Sequence, residues 1–381
     1  MVCLRYGSGD VVNIIRGERV TKKELSDKAP YPVVSGGSGY MGRYDKYNRK
    51  ENTITIAQYG TAGYIAFRTE KFWANDICYS VIPSQVVDNK FVYYVLVNMQ
   101  NYIYTLKTEA IPACMPLEKL QELQIPLPPL AVQSEIVRIL DKFTLYKSEL
   151  AAELAARLRQ YEYYRDQLLT FDDTVKRKEL GELCTLVTKQ TGFDYSNSIK
   201  DALTRHEGED TVPYIQTKFF EGRKFIYKTD YYVPEKLVAK FPKITLDEKC
   251  ILFSIVGASI GNIGLFPNVR KCFLGGAIGV AKFKKDVNID FVYYYLCSKF
   301  GQKQIFAKVK GAGQATVTIE DLRKFSIPLP PLSEQERIVS ILDRFDKLCH
   351  DIREGLPAEI DLRQKQYEHY RDRLLTFEAA K

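Results

Sequence analysis

Between residues 136 and 168 the apolar side chains recur at alternating steps of four and three. They are Ile136, Leu140, Phe143, Leu150, Leu154, Tyr161, Tyr164 and Leu168, interrupted only by Lys147 and Arg157. The stripe returns near the end of the chain as Ile338, Leu342, Phe345, Ile352, Leu356, Ile360, Tyr367, Tyr370 and Leu374. Such a period predicts a long helix with a heptad seam. Pro128 and Pro129, like Pro330 and Pro331, stand just ahead of the stripes, so each helix is expected to follow an extended lead-in. Ser333 and Glu336 have the spacing of a capping box. From Phe143 to Tyr161 is 18 residues, and from Phe345 to Tyr367 it is 22. The four extra residues act as a stutter, and Gly355 and Pro357 fall there, so a local kink is expected. Two ordinary core helices are the plainer alternative. Helices of ~40 residues, ~60 Å long, suit a coiled coil better.

The stripes belong to a longer repetition. IPLPPLAVQSEIVRILDKF at 125–143 matches IPLPPLSEQERIVSILDRF at 327–345 in 13 of 19 positions. YEYYRDQLLTF at 161–171 matches YEHYRDRLLTF at 367–377 in 9 of 11. This is an internal repeat. A seam needs only its apolar positions. The matched polar ones imply that each copy also meets a similar partner.

Between the repeats lie two unlike blocks. In the first, residues 11–15 read as a strand, and 31–42 as a strand running into a glycine-rich loop. Residues 52–59 alternate as a strand, Gly60 to Gly63 turn it, and 81–87 read as another strand. FVYYVLVNMQ at 91–100 is a buried helix or strand, too short for its period to decide. The second block follows the same plan with new residues. VPYIQTKFF stands for YPVVSGG, CILFSIVGASIGNIG for TITIAQYGTAG, and FVYYYLCSKF for FVYYVLVNMQ. Both blocks are therefore expected to share a mixed α/β fold and to differ at outward-facing residues. A reader of two different targets would be built this way.

With 381 residues, 45% hydrophobic and 27% charged, the composition is that of a soluble globular chain of two or more domains. Residues 1–20 lack the apolar run of a secretory leader. The uncharged stretch 250–267 is too polar and short for a membrane span and reads as strand and turn. The eight cysteines form no CxxC pair and the histidines number three. Reduced thiols in a cytoplasmic protein are expected, without a zinc site. Net charge is +3 over residues 1–124, zero over 125–177, +7 over 178–326 and −2 over 327–381. The positive excess thus lies wholly in the two blocks. Basic blocks and near-neutral helices suggest that the blocks meet a polyanion and the helices meet protein. A randomly solvated surface is the alternative.

Candidate polyanion contacts lie in the loops. Ser35, Arg43, Tyr44 and Lys46 combine hydroxyl, guanidinium, aromatic and amine around several glycines, which let backbone approach a phosphate or a groove. Tyr59 and Thr61, and Ser259 in the corresponding place of the second block, follow strands. Gln216, Thr217 and Lys218 are further candidates, as are Lys308, Lys310 and Gln314 in the basic loop KVKGAGQATVT. Solvated hairpins and tight turns are the alternative. GASIGNIG has the wrong spacing for a dinucleotide fingerprint, and no GxxxxGK[ST] phosphate loop is present. No [DNS]-P-P-[YF] segment occurs either, so no catalytic machinery and no cofactor are expected.

The order of variable block, IPLPPL-x-x-Q, long helix and YE-x-YRD-x-LLTF, stated twice, resembles the specificity subunit of a Type I restriction–modification enzyme. The resemblance covers essentially the whole chain, with GLPAEI at 355–360 as a further carrier. Copy one departs from it, having ELAAELAARL at 149–158 instead, so its helix is expected to be straighter. The resemblance implies an α+β fold with two target-recognition domains, 1–124 and 178–326. Helical spacers 125–177 and 327–381 would form an antiparallel two-helix coiled coil with pseudo-two-fold symmetry. It implies a non-catalytic subunit that reads a bipartite target in double-stranded DNA. Methylation and cleavage would fall to two methyltransferase subunits and, in the full complex, to restriction subunits. The most alike parts of the two copies are the expected partner-binding surfaces: Pro128, Pro129, Tyr164 and Arg165, and Pro330, Pro331, Tyr370 and Arg371. A self-contained DNA-modifying enzyme and a coiled-coil scaffold without DNA are the rival readings.

Overall fold

The computed structural model describes residues 2–3, 5–311, 315–350 and 355–379, with side chains between 7 and 377. Five helices organise it: α1 (Asn89–Asn98), α2 (Leu130–Leu168), α3 (Ile289–Cys297), α4 (Leu332–His350) and α5 (Leu356–Leu375). The chain divides into two compact units, Met1–Ala152 with Ala358–Lys381, and Glu153–Pro357.

The first unit holds a four-stranded antiparallel sheet. Its spatial order is Val12–Arg16, Cys78–Pro83, Thr53–Ala57 and Ile65–Arg68. Thr53–Ala57 is buried along its whole length, which suits a central strand. A smaller sheet sets Tyr31–Val34 antiparallel to Tyr40–Tyr44 and parallel to Trp73–Ala74. The second unit repeats the plan. Cys184–Lys189, Ile278–Phe283, Cys250–Ser254 and Ile263–Phe266 form its antiparallel sheet in that order. Thr211–Ile215 pairs parallel with Cys272–Leu274, as Tyr31–Val34 does with Trp73–Ala74. The strand expected at 81–87 lies instead at Cys78–Pro83, because the Ser84 amide turns to bond the Val11 carbonyl at 2.9 Å.

The FVYY segments are helices. Asp88 caps α1 by accepting from the Phe91 amide at 2.9 Å, and Asn288 caps α3 through the Phe291 amide at 3.1 Å. An Asx cap three residues ahead of the phenylalanine is a helix signal that the apolar period alone hides. Phe91, Val92, Tyr94, Val95 and Leu96 bury one side of α1 with Ile54, Ile56 and Val81. In α3 every residue from Phe291 to Leu296 is buried, on all sides of the helix, in the core that holds Ile251 and Phe253.

Each unit contains an antiparallel helix pair. In the first, Phe143 of α2 stacks on Tyr370 of α5 at 5.3 Å, and Lys147 sits 5.3 Å from the Tyr367 ring. In the second, Tyr161 of α2 meets His350 of α4 at 5.7 Å, and Tyr164 stacks on Phe345 at 5.8 Å. Numbers rise on one helix as they fall on the other, which fixes the direction. Positions 143, 147, 150, 154 and 157 of α2 are all half-buried and 161 is buried, so Lys147 and Arg157 do not break the seam. Long charged side chains can cover apolar surface with their aliphatic stems while the charged head stays in water.

Two helical expectations are corrected. The second copy is not one kinked helix but two, α4 and α5. Pro357 falls in the first turn of α5, where its missing N–H costs nothing, and it could not continue α4. Ile352 lies outside the described residues, while Cys349 is buried one seam step beyond Phe345. Ser333 is not a cap either. Helix α4 already starts at Leu332, and the Pro331 carbonyl accepts from the amides of Glu334 and Gln335 at 2.9 and 3.1 Å. Among the described residues no helix is long and apolar enough to cross a membrane.

Candidate nucleic-acid interface

The loops of the first unit are held by their own backbone. Both the amide and the hydroxyl of Thr61 donate to the Gly36 carbonyl, at 2.8 and 2.9 Å. A side chain at position 36 would put its Cβ 2.4 Å from the Tyr59 carbonyl, so only glycine lets the two loops meet. Ser35, Tyr59 and Thr61 are thereby gathered at one place. Ser35 is half-buried and accepts from Asn75 Nδ2 at 3.4 Å. The Tyr59 phenol is pushed up by its hydrogen bond to Cys114 and stays neutral.

Arg43 lies apart from this cluster, and its guanidinium is engaged internally. Nε donates to the Ala29 carbonyl at 2.6 Å and Nη2 to that of Pro30. Tyr44 stands edge-on to Trp73 at 5.0 Å, and Lys46 is exposed.

In the second unit, Ser259 donates to the Val256 carbonyl at 3.4 Å. Its turn meets the loop carrying Lys308 and Lys310: the Gly257 amide bonds the Ala315 carbonyl at 2.9 Å, and Val256 bridges Thr316. Gly257 and Gly261 adopt positive φ here, +76° and +97°, as Gly60 and Gly63 do in the first unit, +72° and +86°. Both turns thus use a pair of left-handed glycines, three residues apart in the first unit and four in the second. Lys308 is exposed. Lys310 pairs with Asp321 at 3.1 Å, and the Thr318 hydroxyl with that ammonium holds the Asp321 carboxyl below the usual carboxylate range. Gln314 lies outside the described residues. Gln216 lines an open concavity of about 680 Å³. Thr217 begins a short turn after it, and Lys218 is ion-paired with Asp230.

The matched polar positions of the repeat have work inside the chain. Gln133 donates to the Pro128 carbonyl at 2.7 Å and accepts from the Asp88 amide at 2.7 Å, tying the start of α2 to the cap of α1. Gln335 donates to the Pro330 carbonyl at 2.8 Å. Asp141 accepts from the Tyr94 phenol at 2.7 Å and pairs with Lys90 at 2.6 Å. Asp343 accepts from Tyr294 at 2.7 Å and pairs with Arg223 at 2.8 Å. Arg165 and Arg371 each pair with the following aspartate, at 3.1 and 2.7 Å, and lie over Tyr161 and Tyr367. The likeness of these polar residues therefore does not by itself require an external partner. Among the expected partner contacts, Pro128 and Pro330 are buried, whereas Pro129 and Pro331 are exposed. Tyr164 and Tyr370 keep 42% and 43% of their surface open.

Comparison with known proteins agrees with this doubled plan. The family model for the Type I restriction modification DNA specificity domain matches residues 6–160 and 172–362. A Haemophilus influenzae protein described as a type I restriction enzyme specificity subunit is 31% identical over 97% of this chain and 94% of its own. The Escherichia coli EcoR124I/EcoR124II specificity subunit is 37% identical over 65% of this chain and 60% of its own. In fold, the chain is similar to the crystal structure of a Type I restriction–modification S subunit from M. genitalium. That likeness has a TM-score of 0.62 at 18% identity and covers 98% and 96% of the two chains. With two matched regions that together span most of its length, the chain belongs to the Type I restriction–modification DNA specificity family.

Proposed function

We propose that this chain is the subunit that chooses the DNA sequence for a Type I restriction–modification complex. Residues 1–124 and 178–326 act as two recognition domains on double-stranded DNA, each reading one half of a bipartite target. The helical segments 125–177 and 327–381 space them and present Pro129, Tyr164, Pro331 and Tyr370 to two methyltransferase subunits. Methyl transfer, and cleavage where restriction subunits join, is the work of those partners. The observation that carries this reading is the repetition of one sheet topology with different loop residues. A scaffold needs no second folded block, and one enzyme active site needs no duplicate.

Salt dependence supplies the test. Duplex binding by the full chain should weaken steeply as salt rises, because lysines and arginines displace condensed counterions. Affinity for duplex that does not change with salt would sink the reading. A purified chain that binds a methyl donor alone would favour the self-contained enzyme.

A further inference from the structure

The two units share a scaffold, so their differences at equivalent positions are informative. Val34 pairs with Ala74 as Ile215 pairs with Leu274. The next residues, Ser35 and Gln216, are thus equivalent, as are Asn75 and Gly275. In the first unit this corner is filled. The buried Asn75 side chain accepts from the amides of Val20 and Asp76, both at 2.9 Å, and reaches Ser35. Arg16 is committed to the Asp76 carbonyl at 2.6 Å.

In the second unit the corner is open. Gly275 and Gly276 replace Asn75 and Asp76, and a concavity of about 680 Å³ lies at the strand ends. Its floor is fixed: the Tyr214 phenol donates to Gln190 Oε1 at 3.0 Å, and Gln190 Nε2 donates to the Leu274 carbonyl at 3.2 Å. Gln216 lines the wall, and no hydrogen bond to another described residue engages its amide. Lys189, the equivalent of Arg16, and Lys200 line the same hollow. Both are exposed, and neither forms an ion pair among the described residues.

We infer that Gln216 reads an adenine in the half-site of the second recognition domain, with Lys189 and Lys200 on the flanking phosphates. This rests on the function proposed above and adds the identity of one base. A primary amide carries one donor and one acceptor side by side, matching the N7 acceptor and N6 donor of adenine in the major groove. Lysine supplies the charge for the backbone without base discrimination.

The test is selection from a random duplex library by the full-length chain assembled with its methyltransferase subunits. The wild type should enrich a two-part sequence. Gln216→Ala should lose roughly tenfold to a hundredfold discrimination at a single A·T position of one half, leaving the other half intact. Gln216→Glu should move that position toward C·G, because a carboxylate accepts from cytosine N4. Lys189→Ala and Lys200→Ala should each lower the salt slope by about one and leave the selected sequence unchanged. Wild-type selection by folded Gln216→Ala would overturn the inference, as would relaxation at a G·C position or uniform loss across all positions. A wild type that enriches nothing would instead overturn the underlying DNA reading.

Discussion

At the scale of single residues, the informative feature is a tyrosine–aspartate bond made twice. Tyr294 is wholly buried, yet its hydroxyl reaches Asp343. Burial pushes its phenol up, so it remains a donor at ordinary pH. Replacing it with phenylalanine leaves a carboxylate short of one donor at little cost in packing. Tyr294→Phe and Tyr94→Phe should each destabilise their own unit by about 1–2 kcal/mol. Chemical denaturation, with an Asp343→Asn double-mutant cycle, measures the coupling. Both aspartates stand among the matched positions of the repeat, so that they mattered was legible. What they bond was not, because each tyrosine lies 47 or 49 residues away in sequence. Arg43, a candidate for base or phosphate contact beside its glycines and aromatics, spends its guanidinium within the chain on the Ala29 and Pro30 carbonyls. Arg43→Ala should therefore lower stability by about 1 kcal/mol while leaving the selected DNA sequence unchanged. A relaxed base position would contradict that.

Among the elements, α2 is the most legible. Its seam, proline lead-in and lack of internal glycine all agree, and it forms one helix of 39 residues. The second copy was harder. Apolar spacing continues across residues 350–356, but a proline in the first turn of α5 favours a new start over a kink. The Ser333–Glu336 spacing also failed, because the preceding prolines start the helix earlier. Four residues inserted after Leu154 add one turn, ~6 Å of rise. They act as a stutter that keeps the seam in phase. The variant should fold and lengthen the unread gap between half-sites by about one or two base pairs at 3.4 Å each. Two inserted residues turn the seam by ~200° and should destroy helix pairing. Circular dichroism and methylome sequencing would check both. An unchanged gap in a fully active four-residue variant would mean that the helix is not the ruler.

For the whole molecule, the repeat and the charge partition say more than any single site. Residues 178–326 carry +7 and residues 1–124 carry +3, while the repeat segments are neutral or acidic. Doubling was readable in the sequence because the two ends of each spacer match closely between the copies. The shared sheet order was only hinted at, since strand pairing joins residues far apart and unlike in composition. The central claim is that each block reads its own half of the target. Exchanging residues 178–326 for the corresponding block of another family member, then sequencing the host methylome, tests it most directly. One half-site should change while the other half stays as in the wild type. A change in both halves together, or in neither, would contradict the account.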